Sequence, residues 1–492
     1  MSDTLTLDLT GPEGLQPPQA TQSTGEAARM PRASVLGLIT VFITQLMLVV
    51  DASIVNVALP DIQRELHFTP SGLSWVVTGY ALAFAGLMLL TGKLGSIIGP
   101  KRALVIGTLV FIAASAAGGL APTASALIIA RVVQGVGAAI AAPSTLVLLI
   151  ANTTPGAHRN RAMSLFVLAA GSGGAIGLIL GGILTTSLGW QWVMFVNVPI
   201  GIVIALGALF FLRETERTRE HLDYGGAATS VIAMIALVYG FTTAATSGWG
   251  SPVVIASFAI AAASLIALVL IERGHRSPVV PLQLFTRSRS AVPLVAMLLV
   301  PAGMFAFFYL ITLFTQDVYH YDALGTGFAL LPFVTVMIVV SQLAPRLLAR
   351  FGERLVGAVG LAGLVVGLGW LSRLDASEGY ATGILGPIIV MGFGAGLTFA
   401  PITGVIMAHA PAGHVGATSS VLQTMQQLGG SIGVAVLSTV FVSAAAASGL
   451  AGGLTTAIVG GVVFVGVAFV LYAVWGSDAP AADPEAEAVV LH

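Results

Sequence analysis

The chain has 492 residues, of which 56% are hydrophobic and only 8% are charged, and its formal net charge is −1. Soluble globular domains carry about 25% charged residues, so this composition excludes an ordinary soluble protein. The absence of cysteine also excludes disulfides, thiolate metal sites and cysteine nucleophiles.

The two ends of the sequence differ from the rest. Residues 1–33 are polar, contain Pro17 and Pro18, and lack the short apolar core and cleavage site of a signal peptide. We therefore expect a disordered cytoplasmic tail there. Residues 476–492 are acidic and predict a second cytoplasmic tail.

Between the tails, apolar stretches near or above the ~20 residues that cross a bilayer follow one another. They predict an all-α polytopic membrane protein with fourteen transmembrane helices. The predicted spans are 34–59, 72–94, 101–121, 124–151, 161–186, 192–212, 226–246, 252–271, 290–316, 325–345, 355–373, 381–408, 416–444 and 453–475. With a cytoplasmic N-terminus, every Lys and Arg except Arg64, Arg131 and Arg373 falls on the cytoplasmic side, as the positive-inside rule requires.

A loop sequence occurs twice in the span order. GKLGSIIGPKR (92–102) follows the second span, and PRLLARFGERL (345–355) follows the tenth. Two unrelated basic loops would explain this pair alone, but its place in the span order favours a transporter built from two parallel repeats. The predicted domains are an N-terminal six-helix bundle (34–212), an inserted two-helix segment with cytoplasmic linkers (213–289) and a C-terminal six-helix bundle (290–475).

Two ionisable residues lie inside predicted spans. Asp51 is in the first span and Arg131 in the fourth, where a charged side chain costs ~2.5–3.5 kcal/mol and marks a functional candidate. Each lies about eight residues from the outer end of its span, or ~12 Å deep at ~1.5 Å per residue. The two can therefore pair across the bundle. A structural salt bridge is one interpretation. The other is that Asp51 takes up and releases a proton while Arg131 responds to its charge.

Glycines recur every four residues in the fifth predicted span, at Gly173, Gly177 and Gly181. On a helix they share one face without side chains, which allows two backbones to touch in lipid. Gly182 lies beside this stripe, and Trp190 and Trp192 follow where amphipathic rings favour the membrane interface.

Three stretches carry a family resemblance: LMLVVDASIVNVALP around Asp51, RVVQGVGAA from Arg131, and the glycine stripe followed by WQWVMFVNVPIG. They resemble motifs of the fourteen-span drug:proton antiporters in the major facilitator superfamily. QQLGGSIG at 426–433 is similar to the glycine motif of the penultimate span. The resemblance implies proton coupling at Asp51 and Arg131. One position departs from the family, which usually has Pro where this chain has Leu178.

The loop after the second span also departs from the family pattern. The acidic position is Ser96 and the following Arg is Ile97, so the charged latch that the resemblance implies for the cytoplasmic side is in doubt. Closure by helix packing, or looser switching, are the alternatives. The retained gating candidates are Gly92, Gly99, Lys101 and Arg102 in the first loop and Arg350 in the second.

A central substrate cavity is expected beside the ninth span, by analogy with the seventh span of the superfamily. Aromatic groups with a few polar ones suit large apolar ligands. The candidate residues are Met304, Phe305, Phe308 and Tyr309 in span nine and Gln423 and Gln427 in span thirteen.

These features predict a proton-coupled exporter of lipophilic drugs or antibiotics in the cell membrane, with both termini cytoplasmic. We expect a bacterial, monomeric protein without cofactor, metal site or nucleic-acid partner. A metabolite importer or uniporter of the same fold is the first alternative. A membrane receptor or a lipid-modifying enzyme is the second, although GGSIG at 429–433, which matches a nucleophile elbow, lies in an apolar helix without the strand that such an elbow needs.

Overall fold

The computed structural model describes residues 32–68, 70–154, 157–214, 223–273, 278–317, 319–321, 323–374, 379–411 and 414–476. The predicted tails lie outside these ranges except where they join the first and last helices. The α-helices are α1 (Arg32–Glu65), α2 (Pro70–Ile98), α3 (Pro100–Gly119), α4 (Ala124–Ala151), α5 (Ala157–Leu188), α6 (Gln191–Phe195), α7 (Asn197–Phe211), α8 (Tyr224–Ser247), α9 (Pro252–Glu272), α10 (Gln283–Thr286), α11 (Ser288–Asp317), α12 (Ala323–Leu371), α13 (Leu385–Ala408) and α14 (Val415–Trp475). A π-helix, Tyr380–Ile384, leads into α13. The predicted all-α class is confirmed.

The described residues contain eleven helices long and apolar enough to cross a membrane, or twelve when the bent helix α5 is taken as one span. The chain is therefore a multi-pass membrane protein, although this count does not reach the predicted fourteen. Two helices are interrupted by glycines with positive φ, α12 at Gly352 (φ 77°) and α14 at Gly449 (φ 75°). Only glycine adopts that conformation without strain.

Glycines bring α5 against α1. A Cβ added at Gly177 would lie 2.8 Å from the carbonyl oxygen of Val50, and one added at Gly181 would lie 2.8 Å from that of Ile54. An added Cβ at Gly173 would lie 2.7 Å from Val49 Cβ. These distances are below normal van der Waals contact, so the two backbones meet where no side chain fits.

A similar contact recurs in the second half of the chain. A Cβ added at Gly429 would lie 2.9 Å from the carbonyl carbon of Leu298, and one at Gly433 would lie 2.6 Å from Ala302 Cα. These glycines are four residues apart on α14 and pack on α11, as the α5 glycines pack on α1. The elbow-like GGSIG string therefore serves helix packing.

A second pair of helices is joined in both halves by close glycines. Between α3 and α4, a Cβ added at Gly107 would lie 2.7 Å from the Gly137 carbonyl oxygen. Between α12 and α13, a Cβ added at Gly394 would lie 2.7 Å from the Gly360 carbonyl oxygen. The same two helix pairings thus occur early and late in the sequence, which supports an internal repeat.

The two halves meet where α2 ends and α14 begins. Gly92 faces Ser420, and a Cβ added at Gly92 would also lie 3.2 Å from the Gly416 carbonyl oxygen. Ser419 Oγ donates a hydrogen bond to the Pro143 carbonyl of α4 at 3.1 Å. At this end of the molecule, which we call the α2–α3 loop end, the halves touch by close helix packing.

The inserted helices α8 and α9 pack on each other, and α8 lies against both α2 and α14. Tyr239 of α8 stacks on Trp75 of α2 with 6.1 Å between ring centroids. Trp249, just after α8, donates a hydrogen bond from Nε1 to Thr439 Oγ1 of α14 at 2.9 Å. The inserted pair therefore contacts both halves.

Candidate functional site

The centre of the candidate site is an ion pair buried inside the first half. Asp51 is 0% exposed and Arg131 is 1% exposed. Arg131 Nη1 donates to Asp51 Oδ2 at 2.8 Å. Asp51 lies on α1 and Arg131 lies on α4, so the pairing that their depths allowed is present. Taking two charges out of water is costly, and the pair is stable only when further hydrogen bonds satisfy both partners.

Two amides complete the surroundings of the Asp51 carboxylate. Gln134, one turn after Arg131 on α4, donates from Nε2 to Asp51 Oδ1 at 2.7 Å. Its Oε1 accepts a hydrogen bond from Arg131 Nη1 at 2.6 Å. Asn197, the first residue of α7, also donates from Nδ2 to Asp51 Oδ1 at 2.7 Å. All three residues donate to the carboxylate, so the site is built to hold Asp51 charged.

Helices α2 and α3 contact the side chains that bond to Asp51, rather than Asp51 itself. Arg131 Nε donates to the Val76 carbonyl at 3.0 Å, and its guanidinium lies 4.4 Å from the ring centroid of Tyr80. Ser115 Oγ of α3 accepts from Gln134 Nε2 at 2.9 Å. Five helices therefore converge on one carboxylate.

Three buried polar atoms in this network have no hydrogen-bond partner among the described residues. They are Arg131 Nη2, Asn197 Oδ1 and the Tyr80 hydroxyl. Buried polar groups normally find a partner in the protein or in ordered water. The site therefore retains capacity for further hydrogen bonds next to Asp51.

The glycine stripe of α5 lies directly behind Asp51. Gly173 and Gly177 contact the segment of α1 that includes Val50 and Ser53, the near neighbours of Asp51 in the sequence. Ser53 Oγ also approaches the Gly173 carbonyl at 3.4 Å. Gly182 does not share this contact, since a Cβ added there would meet nothing within 4 Å.

The gating candidates lie at the α2–α3 loop end. The Lys101 backbone N–H donates to Glu214 at 3.0 Å, and Lys101 Nζ donates to the Leu212 carbonyl at the end of α7 at 2.9 Å. Gly99 has φ 104° and faces the Glu214 carboxylate. Gly92 lies in the contact between the halves, whereas Arg102 and Arg350 are exposed.

A buried charged cluster lies at the same end and was not predicted. Lys93 of α2 is 1% exposed, Asp223 before α8 is 5% exposed and Glu272 at the end of α9 is 4% exposed. Both Lys93 and Asp223 lie within electrostatic range of Glu272. Glu272 Oε1 also accepts from the Val280 N–H at 2.9 Å. These charged groups lie where the inserted helices meet α2.

The structure describes the side chains of four of the six predicted cavity residues, and their surroundings differ. Met304 is buried at 5% exposure within the core, and Phe308 packs edge-on against Phe333 with 5.4 Å between centroids. Gln423 is not a free cavity group in this conformation, because its Nε2 donates to the Ala142 carbonyl of α4 at 3.1 Å. Gln427 is half-buried. The side chains of Phe305 and Tyr309 lie outside the described set.

No group of three or more His, Asp or Glu side chains that could hold a metal occurs in the described ranges. Sequence reasoning singled out Asp51 and Arg131 because charges in a span are conspicuous. It did not assign a role to Gln134 or Asn197, although both stand in motifs that carry the family resemblance. Their amides carry no charge, so only the fold reveals that they meet at Asp51.

Comparison with known proteins assigns the family. The sequence profile described as Major Facilitator Superfamily matches residues 41–434. The chain belongs to the major facilitator superfamily. The family predicted from the motifs is therefore confirmed, and this superfamily member is a transporter rather than an enzyme.

Relatives of this superfamily member include several bacterial proteins. It is 35% identical to the uncharacterized MFS-type transporter EfpA of Mycobacterium tuberculosis, over 88% of this chain and 83% of EfpA. It is 34% identical to the puromycin resistance protein pur8 of Streptomyces alboniger, over 84% and 82% of the two chains. The cephamycin export protein CmcT of Amycolatopsis lactamdurans is 36% identical, over 85% of this chain and 87% of CmcT.

A solved structure shares the fold of this superfamily member. The human organic anion transporter MFSD10 (TETRAN) superposes with a TM-score of 0.66, covering 90% of this chain and 100% of that structure. The two sequences are only 14% identical, so this likeness concerns the fold alone.

Proposed function

We propose that this protein is a proton-coupled exporter of lipophilic drugs or antibiotics that works by alternating access. The observation that carries the coupling is the buried Asp51–Arg131 pair with its ring of donors. Ionisable residues inside the membrane are energetically costly and rare, and they usually mark a functional site. The buried Asp51 carboxylate is therefore the candidate for the proton-binding group. The names of the relatives supply the substrate class, because they include resistance to puromycin and export of cephamycin.

We propose fourteen transmembrane helices in place of the coarser count. The segment Gly325–Leu371 has 47 residues, or ~70 Å of helix at ~1.5 Å per residue, more than twice the ~30 Å hydrocarbon core. Its break at Gly352 separates two spans. Helix α11, with 30 residues, is also long enough to cross. Adding these two to the twelve spans that include α5 gives fourteen.

The proposed arrangement keeps the predicted domains: two six-helix bundles at 34–212 and 290–475, with 213–289 inserted between them. Both termini are cytoplasmic in this proposal, and the monomer is the transporting unit. The α2–α3 loop end is then the cytoplasmic side, and the contacts of α2 and α4 with α14 close it. In this orientation the conformation is closed on the cytoplasmic side.

Asp51 then performs the proton step. In the outward-facing state it binds a proton from outside, and the ion pair with Arg131 is neutralised. After the halves rearrange, Asp51 releases the proton inside, and Arg131, Gln134 and Asn197 again hold the charged carboxylate. Substrate leaves outward in the same cycle, so the proton gradient drives export.

The test is export by reconstituted vesicles against an imposed pH gradient, with puromycin as the first probe. Asp51→Asn should abolish uphill transport because its amide cannot carry a proton, while leaving downhill exchange of substrate. Asp61→Asn is the matched control, since Asp61 lies on the same helix, is partly exposed and pairs with the exposed Arg64, and it should transport normally. If Asp51→Asn still concentrates puromycin and an uncoupler collapses that transport, the proton is carried elsewhere. Uptake in the direction of the proton gradient would instead favour an importer.

A further inference from the structure

Asn197 occupies an unusual place beside Asp51. Its side chain is 1% exposed and donates from Nδ2 to Asp51 Oδ1 at 2.7 Å. Its own oxygen, Oδ1, is buried without a hydrogen-bond partner in the part of the chain that the structure describes. A carboxamide has one donating and one accepting end, and here only the donating end is used.

The two oxygens of Asp51 differ in their surroundings. Oδ2 accepts from the Arg131 guanidinium at 2.8 Å, whereas Oδ1 accepts from two neutral amides, those of Gln134 and Asn197, both at 2.7 Å. A proton on Oδ2 would face a permanent cation. A proton therefore binds to Oδ1, and the new O–H needs an acceptor.

Few acceptors are within reach of that O–H. The oxygen of Gln134 already accepts from Arg131 at 2.6 Å. The hydroxyl of Ser115 donates to the Phe111 carbonyl at 2.8 Å and accepts from Gln134. Asn197 Oδ1 and the Tyr80 hydroxyl accept no hydrogen bond from the described residues, and of these two side chains Asn197 is the one that already bonds to Asp51 Oδ1. Its oxygen reaches Asp51 when the carboxamide turns by half a rotation and exchanges the positions of its oxygen and nitrogen.

We infer that Asn197 is a positioning residue that responds to the protonation state of Asp51 by reversing its carboxamide. This inference rests on the proposed proton coupling through Asp51. When Asp51 is charged, Asn197 Nδ2 donates to Oδ1. When a proton from outside water bonds to Oδ1, Asn197 Oδ1 accepts that O–H. No covalent bond within the protein is broken: the hydrogen bond from Asn197 Nδ2 is exchanged for the one to Asn197 Oδ1, and the proton leaves to water on the other side.

The reversal changes how firmly α7 is held to α1. A hydrogen bond to a charged carboxylate is about twice as strong as a neutral one, so protonation loosens the α1–α7 contact without breaking it. The titratable groups facing Asp51 are Arg131 from α4 and Tyr80 from α2. Helix α3 supplies the neutral Ser115, α7 the neutral Asn197, and α5 presents glycines.

Infrared difference spectroscopy of the reconstituted full-length protein tests the reversal directly. Spectra at acidic minus alkaline pH should show a protonated-carboxyl C=O band that is absent in Asp51→Asn. A side-chain amide C=O band should shift with it and be absent in Asn197→Leu. Asn56→Leu is the matched control, because Asn56 is exposed on the helix of Asp51 and its Nδ2 donates to the Ala52 and Ser53 carbonyls of that helix, each at 3.2 Å. It should keep both bands.

Transport gives a second measurement. Asn197→Leu should reduce gradient-driven export of puromycin by about tenfold to hundredfold, the size of one hydrogen bond to a charged group. Its binding constant for puromycin should be unchanged. Asn197→Thr retains a group that both donates and accepts. This variant should therefore restore most of the export and the normal pH profile, and it provides the test if Asn197→Leu does not fold.

The outcomes separate this inference from the proposed function. If the Asp51 carboxyl band appears but the amide band does not move, or is lost in Gln134→Leu instead, Asn197 is not the responding group and the coupling stands. The inference also fails if Asn197→Thr exports no better than Asn197→Leu. If no carboxyl band depends on Asp51, the proposed coupling is wrong and the inference falls with it.

Discussion

Replacing Gly177 is a direct perturbation of the contact behind Asp51. A Cβ added there would lie 2.8 Å from the Val50 carbonyl oxygen and 3.2 Å from the Ile54 nitrogen, whereas non-bonded heavy atoms prefer ~3.5–4.0 Å. Gly177→Ala therefore requires α1 and α5 to separate by roughly 0.7 Å. Overpacking of this kind costs about 1–3 kcal/mol. Gly177→Leu should be worse.

That displacement acts on the residue next to Asp51. Hydrogen bonds to the Asp51 carboxylate measure 2.7–2.8 Å, and a shift of roughly 0.7 Å would take them beyond the ~3.2 Å limit of a good bond. We expect Gly177→Ala to lower export by about tenfold to hundredfold, taking ~1.4 kcal/mol per factor of ten. Gly177→Leu should abolish export.

The assay is gradient-driven efflux from vesicles that contain equal amounts of each purified variant. Gly182→Ala and Gly182→Leu are the matched controls, because Gly182 lies on the same helix and a Cβ there would meet nothing within 4 Å. Both controls should export normally. Normal export by Gly177→Leu would show that α5 and α1 need not touch for transport, and the reasoning would fail.

Two further predictions concern the α2–α3 loop end. Ser96→Asp alone should not change the resting conformation, whereas Ser96→Asp with Ile97→Arg should restore a charged latch and reduce labelling of single cysteines placed on the cytoplasmic side; unchanged labelling would contradict this. Lys93→Met should lower stability by about 1–3 kcal/mol, because it removes the buried cation within electrostatic range of Glu272, and adding Glu272→Gln should recover part of the loss in thermal unfolding. A Lys93→Met protein as stable as the parent would show that the cluster contributes little.

Two features of the site could be predicted from the sequence because they depend on charge or on residue spacing. Asp51 and Arg131 stand out because charges are rare in apolar spans, and their distances from the span ends give equal depths. The glycine stripe on α5 stands out because its period matches a helix face. In both cases the local sequence defines the feature. The membrane normal gives the depths of Asp51 and Arg131, and the period of the α-helix gives the glycine face.

The residues that these features contact could be identified only from the folded structure. Nothing in the sequence says that Gly177 packs against α1, one residue from Asp51. Gln423 was predicted to line a cavity, but a buried amide also suits a contact between halves, and in this conformation it bonds to Ala142. Aromatic residues carry the same ambiguity. Phe308 packs against Phe333, as aromatic side chains do whenever two rings can meet edge-on.

Helix α5 is bent although this chain has Leu178 at the position where the related family usually has proline. A proline there would lack the N–H that bonds to the Gly174 carbonyl, and proline is a common cause of kinks. Yet α5 bends by 41° between His158–Gly174 and Ile176–Leu188. The GSGG run at 171–174 offers another recognised cause, since glycine and serine pairs also allow kinks.

Helix packing on two sides of α5 favours this bend. Gly171 of α5 faces Met337 of α12 in the second half, and an added Cβ would lie 2.6 Å from Met337 Cε. Gly173 faces Val49 of α1 in the first half. One short segment of α5 therefore packs against two different helices, α1 and α12. A proline at this position would lack the backbone N–H in every conformation, whereas Leu178 keeps that hydrogen-bond donor. The contacts of α5 with α1 and α12 therefore favour a bend at this glycine-rich segment even without proline.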